Sequence, residues 1–375
     1  MSDVAKALWT PTGESIADSR MNRFARLVNE SGDLHEWSIR QPERFWSCVW
    51  DDCGVVGHKG ERSFLAAQPG TPMSTARFFP DASLSVVENM LATTGGGEAL
   101  VAIDEAANRR SRSWDELRVR VSSIAAALQA RGVVAGDRVV AWLPNSIEAI
   151  EVMLGAASIG AVFSSSSPDF GTNGVLDRFG QIAPKVLFAV DGYLYNGKQF
   201  DCLERLAEIR KGLPTVVETV VVSNIGTAIP SGSISYNDFV ASGSKTPVSP
   251  QRFAFDHPWY VLYSSGTTGV PKCIVHRTGG VLLQHMKEHQ LHCDIRQGDR
   301  VMYFTTTGWM MWNWLVSVLA SGATAVLFDG APTAPTMSRL FDIVDEERIT
   351  LLGVSAKFID SLRKAHVSPV DTHSL

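Results

Sequence analysis

The sequence predicts an α/β fold of layered βαβ units behind a helical N-terminal extension. Three observations lead there. From about residue 86 onward, short apolar runs alternate with amphipathic stretches of about 10 to 15 residues, the signature of parallel strands joined by crossover helices. Amphipathic stretches stop at glycines, as at Gly132 and Gly160. Residues 1–85 lack this alternation. They carry Trp9, Trp37, Trp46 and Trp50 and short helical patterns at Met21–Val28 and Pro42–Trp50, so their aromatics read as groups that pack the extension against a larger body.

Taken in order, Ser113 is placed to cap a helix whose Trp114, Leu117, Val121, Ile124 and Leu128 share one face. A strand at Val139–Leu143 follows, then a helix over Ser146–Gly160. The strand Ala161–Phe163 runs into the serines Ser164–Ser167. A helix at Val175–Ile182, a strand at Val186–Val190, a helix at Cys202–Lys211 and a strand at Thr219–Ser223 complete a first sublobe, residues 86–223. Residues 224–255 are rich in Ser, Pro, Gly and Thr and read as a connection with one short element at Tyr236–Val240. The second sublobe, residues 256–375, alternates strands at Tyr260–Tyr263, Val301–Phe304, Thr324–Phe328 and Leu351–Val354 with helices at Gly279–His289, Trp312–Ala320 and Met337–Glu347. The closing Ser368–Leu375 has no capping pattern, so this sublobe is expected to be cut short.

Bulk properties exclude several classes. The chain has 375 residues, 19% of them charged, with a net charge of -5. No basic stripe points to nucleic acid. No basic segment followed by an apolar stretch opens the chain. Trp312–Phe328 is apolar but interrupted by Asn313, Ser317, Ser321, Gly322 and Thr324, so it reads as a buried helix, a turn and a strand, not a membrane span. Cys48, Cys53, Cys202, Cys273 and Cys293 are scattered without metal spacing, which fits a reducing, cytoplasmic setting with no metal site.

The chemistry concentrates in Tyr263–His276, YSSGTTGVPKCIVH, directly behind an apolar strand. Glycines let several backbone N–H groups converge on one anion. Hydroxyls at Ser264, Ser265, Thr267 and Thr268 add donors, and Lys272 adds a mobile positive charge. A Walker loop needs glycine at position 271 and Ser or Thr at 273, where this chain has Pro271 and Cys273. Pro271 also lacks an N–H. A P-loop NTPase is therefore disfavoured.

The segment Tyr263–Lys272 resembles the phosphate-binding signature of the adenylate-forming enzymes: acyl-CoA synthetases, luciferases and peptide-synthetase adenylation domains. Ser113–Leu117, Gly136–Val139, Gly155–Val162, Thr307–Trp309 and Gly322–Thr324 resemble other segments of that family. SSSSPDFG (Ser164–Gly171), YNGK (Tyr195–Lys198) and TTTGWMMWNW (Thr305–Trp314) are most similar to the branch that activates acetoacetate. The resemblance covers the whole chain but only the first part of the family's architecture, the large N-terminal domain.

The resemblance implies a ligase using ATP, Mg²⁺ and CoA. A carboxylate is first converted to an acyl-adenylate with release of pyrophosphate, and then passed to the CoA thiol with release of AMP. Ser264, Ser265, Gly266, Thr267, Thr268, Gly269 and Lys272 would hold the ATP phosphates. Gly308, Trp309 and Met310 would form the acyl pocket, and Lys198 would meet the 3′-phosphate of CoA. Trp312 and Trp314 read as core. The family's catalytic lysine belongs to a C-terminal domain beyond residue 375, so no catalytic residue is assigned. Two other readings stand beside this one: an acetyl- or propionyl-CoA synthetase, and a non-catalytic or split half that needs a complementary C-terminal chain.

Overall fold

The computed structural model describes residues 9–29, 32–243, 245, 247–264 and 269–374. Two large sheets organise it. The seven-stranded sheet has the order Ile234–Ser235, Glu218–Val222, Val186–Val190, Arg138–Trp142, Val162–Ser166, Pro258–Tyr263 and Cys273–Arg277. Its strands are parallel except the last, which pairs antiparallel with Pro258–Tyr263. The five-stranded sheet runs Leu351–Gly353, Arg300–Tyr303, Thr324–Asp329, Glu98–Asp104 and Arg109–Ser113, again parallel except the last. Both sheets draw strands from either side of residues 224–255.

The expected helices and strands of the α/β body form with small shifts at their ends. The capping of Trp114–Ala130 takes reciprocal form: Ser113 Oγ accepts from Glu116 N–H while the Glu116 carboxylate accepts from Ser113 N–H. Gly132 sits past that helix at φ +72°, a backbone that glycine adopts without strain. Helix Ile147–Ser158 is buried along its whole length between the sheets. Even its charged residues are enclosed, with Arg110 donating to Glu148 and Arg112 and Arg120 donating to Glu151. A carboxylate buried in this way is tolerated because it is paired.

The serine run belongs to a strand. Ser164, Ser165 and Ser166 are all buried. Ser164 Oγ donates to Val261 O at 2.8 Å and Ser165 Oγ donates to Thr307 O at 2.6 Å. The small hydroxyls of Ser164 and Ser165 thus let neighbouring segments approach closely while their polar atoms stay bonded.

The extension folds as four short helices, Gly13–Asp18, Arg20–Val28, Leu34–Arg40 and Pro42–Asp52. Trp37 is buried against Phe24 and Phe45, and Trp50 lies against Phe79 and Phe255. Trp46 packs on Phe45 and Phe78. Trp9 departs from the expectation: it is 77% exposed.

Candidate functional site

The glycine- and hydroxyl-rich segment stands in the chain between two antiparallel strands. Sequence reasoning placed a helix after it. The structure inserts the strand Cys273–Arg277 first, paired with Pro258–Tyr263 from Tyr263 opposite Cys273 to Tyr260 opposite His276. Ser264 N–H donates to Lys272 O at 3.0 Å, and Lys272 N–H donates to Ser264 Oγ at 3.1 Å. Gln181 Nε2 donates to Pro271 O at 2.8 Å, so the neck is also held from the side. Gly269 has φ +110°, and no atom of the described residues lies within 4 Å of where a side chain would stand. The Lys272 side chain is exposed. Ser265, Gly266, Thr267 and Thr268 lie outside the described residues.

Below the neck, the Tyr263 hydroxyl stands 3.0 Å from Ser164 Oγ, and the Arg178 guanidinium lies 4.4 Å from the Phe170 ring centre. Burial raises the Cys273 thiol above its ordinary value and lowers the His276 imidazole. Neither group is poised to ionise at neutral pH as a nucleophile or as an imidazolium.

Two clefts open nearby. The first, about 330 Å³, is lined by Ser167, Thr305, Thr306, Asp329 and the aromatics Tyr193 and Phe200, among others. Ser167, Thr305 and Gly330 all follow the carboxyl ends of parallel strands, where α/β sheets place their ligands. Thr307 Oγ1 donates to Leu143 O at 2.8 Å and thereby joins the carboxyl ends of the two sheets. Asp329 is pushed up to about 7 by burial, reinforced by Asp104, Glu105 and Asp169.

The second cleft, about 530 Å³ and more open, lies between Cys273–Arg277 and the helices Thr278–Lys287 and Met310–Val316. Tyr260, His276, Gln284, His285, Glu288 and Met310 are among its walls. Burial, with His276 adding to it, pushes His285 down to about 3.

The acyl-pocket trio is divided between these places. Gly308 lies against Ser167 and Phe170, on the side of the first cleft. Met310 lines the second cleft. Trp309 is 57% exposed and lines neither. Trp312 and Trp314 are core, with Trp312 Nε1 donating to Asn145 Oδ1 at 2.9 Å and Trp314 Nε1 donating to Glu288 Oε2 at 3.1 Å.

Lys198 is exposed on a hairpin, Gly192–Tyr195 with Lys198–Asp201, whose turn is Asn196-Gly197 with φ +51° and +73°. Glu105 fixes that turn by accepting from Asn196 N–H at 2.8 Å and from Gly197 N–H. The hairpin turns its stacked Tyr193 and Phe200 toward the first cleft. Sequence reasoning missed these two aromatics, although Asn-Gly between aromatic residues is a strong hairpin signal. His285 and Glu288 were missed as well, because a helix pattern does not say which of its polar residues meets a cleft.

Among the described residues, no group of three or more His, Cys, Asp or Glu could hold a metal ion. No described helix is long and apolar enough to cross a membrane.

A parallel α/β body with a cleft at the carboxyl ends of its strands is the kind of frame on which nucleotide-handling enzymes are built. A family model described as AMP-binding enzyme matches residues 87–374, and the chain belongs to that family. Within it, the chain is 46% identical over 381 residues to the acetoacetyl-coenzyme A synthetase of Rhizobium meliloti (strain 1021), and 42% identical over 392 residues to that of Danio rerio. Each match covers 99% of this chain and 58% of the relative. The solved acetoacetyl-CoA synthetase from Streptomyces lividans superposes with a TM-score of 0.91 at 40% identity, covering 98% of this chain and 58% of that one. The chain thus spans somewhat over half the length of the relatives it matches.

Proposed function

We propose that this chain supplies the ATP-phosphate loop and the acyl cleft of an acetoacetate–CoA ligase. The observation that supports the reading is the clasped neck at Ser264 and Lys272, which follows the carboxyl end of the strand Pro258–Tyr263, together with the cleft that Met310 lines.

In the first half-reaction a carboxylate oxygen of acetoacetate attacks the α-phosphorus of ATP. The P–O bond to pyrophosphate breaks, leaving acetoacetyl-adenylate. In the second, the CoA sulfur attacks the activated carbonyl carbon, its proton goes to solvent, and AMP leaves. The loop's N–H groups and hydroxyls would hold the β- and γ-phosphates, and Lys272 would offset their charge, so the donors are in place before charge moves. Mg²⁺ would arrive on the ATP phosphates and keep most of its water ligands. Lys198, exposed on its hairpin beside the first cleft, would meet the CoA 3′-phosphate. A cytoplasmic setting is consistent with free thiols at all five cysteines.

The test is ATP–pyrophosphate exchange with acetoacetate and Mg²⁺, on the 375-residue chain alone and mixed with a polypeptide carrying the part of the relatives beyond the match. Exchange dependent on acetoacetate, alone or on mixing, supports the reading. Exchange with acetate or propionate in preference moves the activity to those acids. No exchange in either case rejects the ligase reading for this chain.

A further inference from the structure

The second cleft has a polar wall, and most of that wall is already engaged. Arg277 pairs with Asp256 at 2.9 Å. Gln284 Nε2 donates to Glu288 Oε1 at 2.6 Å, and Trp314 Nε1 takes the other Glu288 oxygen. His276 lies against the Tyr260 ring, centroids 4.9 Å apart. His289 is wholly enclosed behind the wall, 6.0 Å ring to ring from His285.

His285 is different, because its tautomer can be deduced. Its Nδ1 stands 2.9 Å from Ser317 Oγ. Ser317 Oγ stands 2.8 Å from Asn313 O, a carbonyl oxygen that can only accept. The single Ser317 proton therefore goes to Asn313, and the Ser317 oxygen accepts from His285. The imidazole carries its proton on Nδ1 and a bare lone pair on Nε2. That Nε2 bonds no described residue and, unlike the nitrogens of His289, is not enclosed, so it opens on the cleft. Burial keeps the ring neutral at pH 7, so it presents an acceptor and no donor. The helix bearing His285 passes directly into a π-helical turn, Glu288–His292, a distortion frequent at functional sites.

We infer that His285 is a specificity-determining residue of the acyl cleft: its Nε2 accepts a hydrogen bond from an O–H or N–H carried by the third carbon of a short carboxylic acid. The inference rests on the reading of this cleft as the acyl site. The substrate class then widens beyond 3-oxo acids to 3-hydroxy acids and to acids ending in a carboxamide. In malonamate an NH₂ stands where acetoacetate has its methyl, at nearly the same shape. A 3-oxo group, itself an acceptor, is met through one water that donates a proton to the ketone and another to Nε2.

The experiment uses the 375-residue chain labelled with ¹⁵N-histidine, followed by long-range ¹H–¹⁵N spectra in the presence of ATP and Mg²⁺. His285, assigned by its loss in His285→Phe, is expected to show protonated Nδ1 and bare Nε2 without titrating between pH 5 and 8. Malonamate and 3-hydroxybutyrate are expected to shift Nε2 toward the protonated side, and butyrate is not. In His285→Phe the two donor-bearing acids should lose about tenfold in affinity relative to butyrate, the worth of one neutral hydrogen bond. A histidine that serves only to anchor Ser317 would weaken all three acids alike, and that result overturns the inference. So does an Nε2-protonated tautomer. Binding of butyrate with no preference for the other two acids overturns the inference but leaves the acyl cleft standing. Binding of none of the acids overturns both.

Discussion

Ser264 and Lys272 clasp each other twice across eight positions of chain: the Ser264 N–H donates to the Lys272 carbonyl, and the Lys272 N–H donates to the Ser264 hydroxyl. The clasp uses the backbone of Lys272 and leaves its ammonium in solvent. The lysine thereby separates into a structural half and a charged half, which mutation can test independently. Lys272→Ala keeps both clasp bonds and removes only the charge. Its melting temperature should match the parent, while its ATP affinity falls roughly tenfold or more, the scale of a charged hydrogen bond. Ser264→Ala removes one clasp bond and should cost about 1 kcal/mol of stability. Calorimetric ATP titration and thermal unfolding of both variants separate the two effects.

Gly269 tests the shape of the loop. A side chain there meets no atom of the described residues within 4 Å. Its φ of +110° is a backbone that a β-branched residue cannot adopt without strain. Gly269→Val should therefore redirect the loop backbone and reduce ATP affinity more than Lys272→Ala does. Unchanged affinity in both variants rejects the loop as the phosphate site.

Glu98 makes the five-stranded sheet sensitive to acid. Hydrogen bonds from Arg109 and then Arg300, outweighing partial burial, hold its carboxyl down at about 2. Arg109 and Arg300 also grip Glu347. A carboxyl whose folded value is depressed contributes stability above its unfolded value and loses it as pH falls through the folded one. The melting temperature should therefore hold above about pH 4.5 and fall between there and about 2. Glu98→Gln should lower stability at pH 7 and flatten that acid limb.

Trp312 separates core from pocket. It is wholly buried and its indole N–H is bonded to Asn145, so Trp312→Ala should cost about 3–5 kcal/mol, read by urea unfolding. Trp309→Ala, at an exposed position, should change stability by less than about 0.5 kcal/mol.

The strand Cys273–Arg277 is an edge of its sheet and turns Ile274 and Val275 outward, 47% and 57% exposed. An exposed apolar edge is a template for intermolecular pairing. Ile274→Lys with Val275→Lys should reduce the aggregation rate of the isolated chain, measured by light scattering, without lowering its melting temperature.

The sequence was legible where local pattern and burial agree. Val186–Val190 is five apolar residues on a central strand buried on both faces, and no other structure suits it. Trp114–Ala130 has its capping serine, its apolar face and its terminal glycine in order. Cys273–Arg277 escaped for the opposite reason. On an edge with solvent on both sides, its apolar residues do not alternate with burial. Arg109–Ser113, RRSRS, has no apolar residue and is a strand only because it lies beside Glu98–Asp104 and finds Glu148, Glu151 and Glu347 for its arginines.

The residue order by itself determined most helices and parallel strands of the body, the hydroxyl-rich motif and the family, because each is written in contiguous residues. Tertiary structure alone decided that Glu98–Asp104 pairs with a strand more than 200 residues later, that Ser165 meets Thr307, and that Gly308 and Met310 face different clefts. It also decided that Ser317, by giving its proton to Asn313, leaves His285 a lone pair aimed at open space. These are relations between distant segments, set by how two sheets close over one buried helix, and no local spacing encodes that closure.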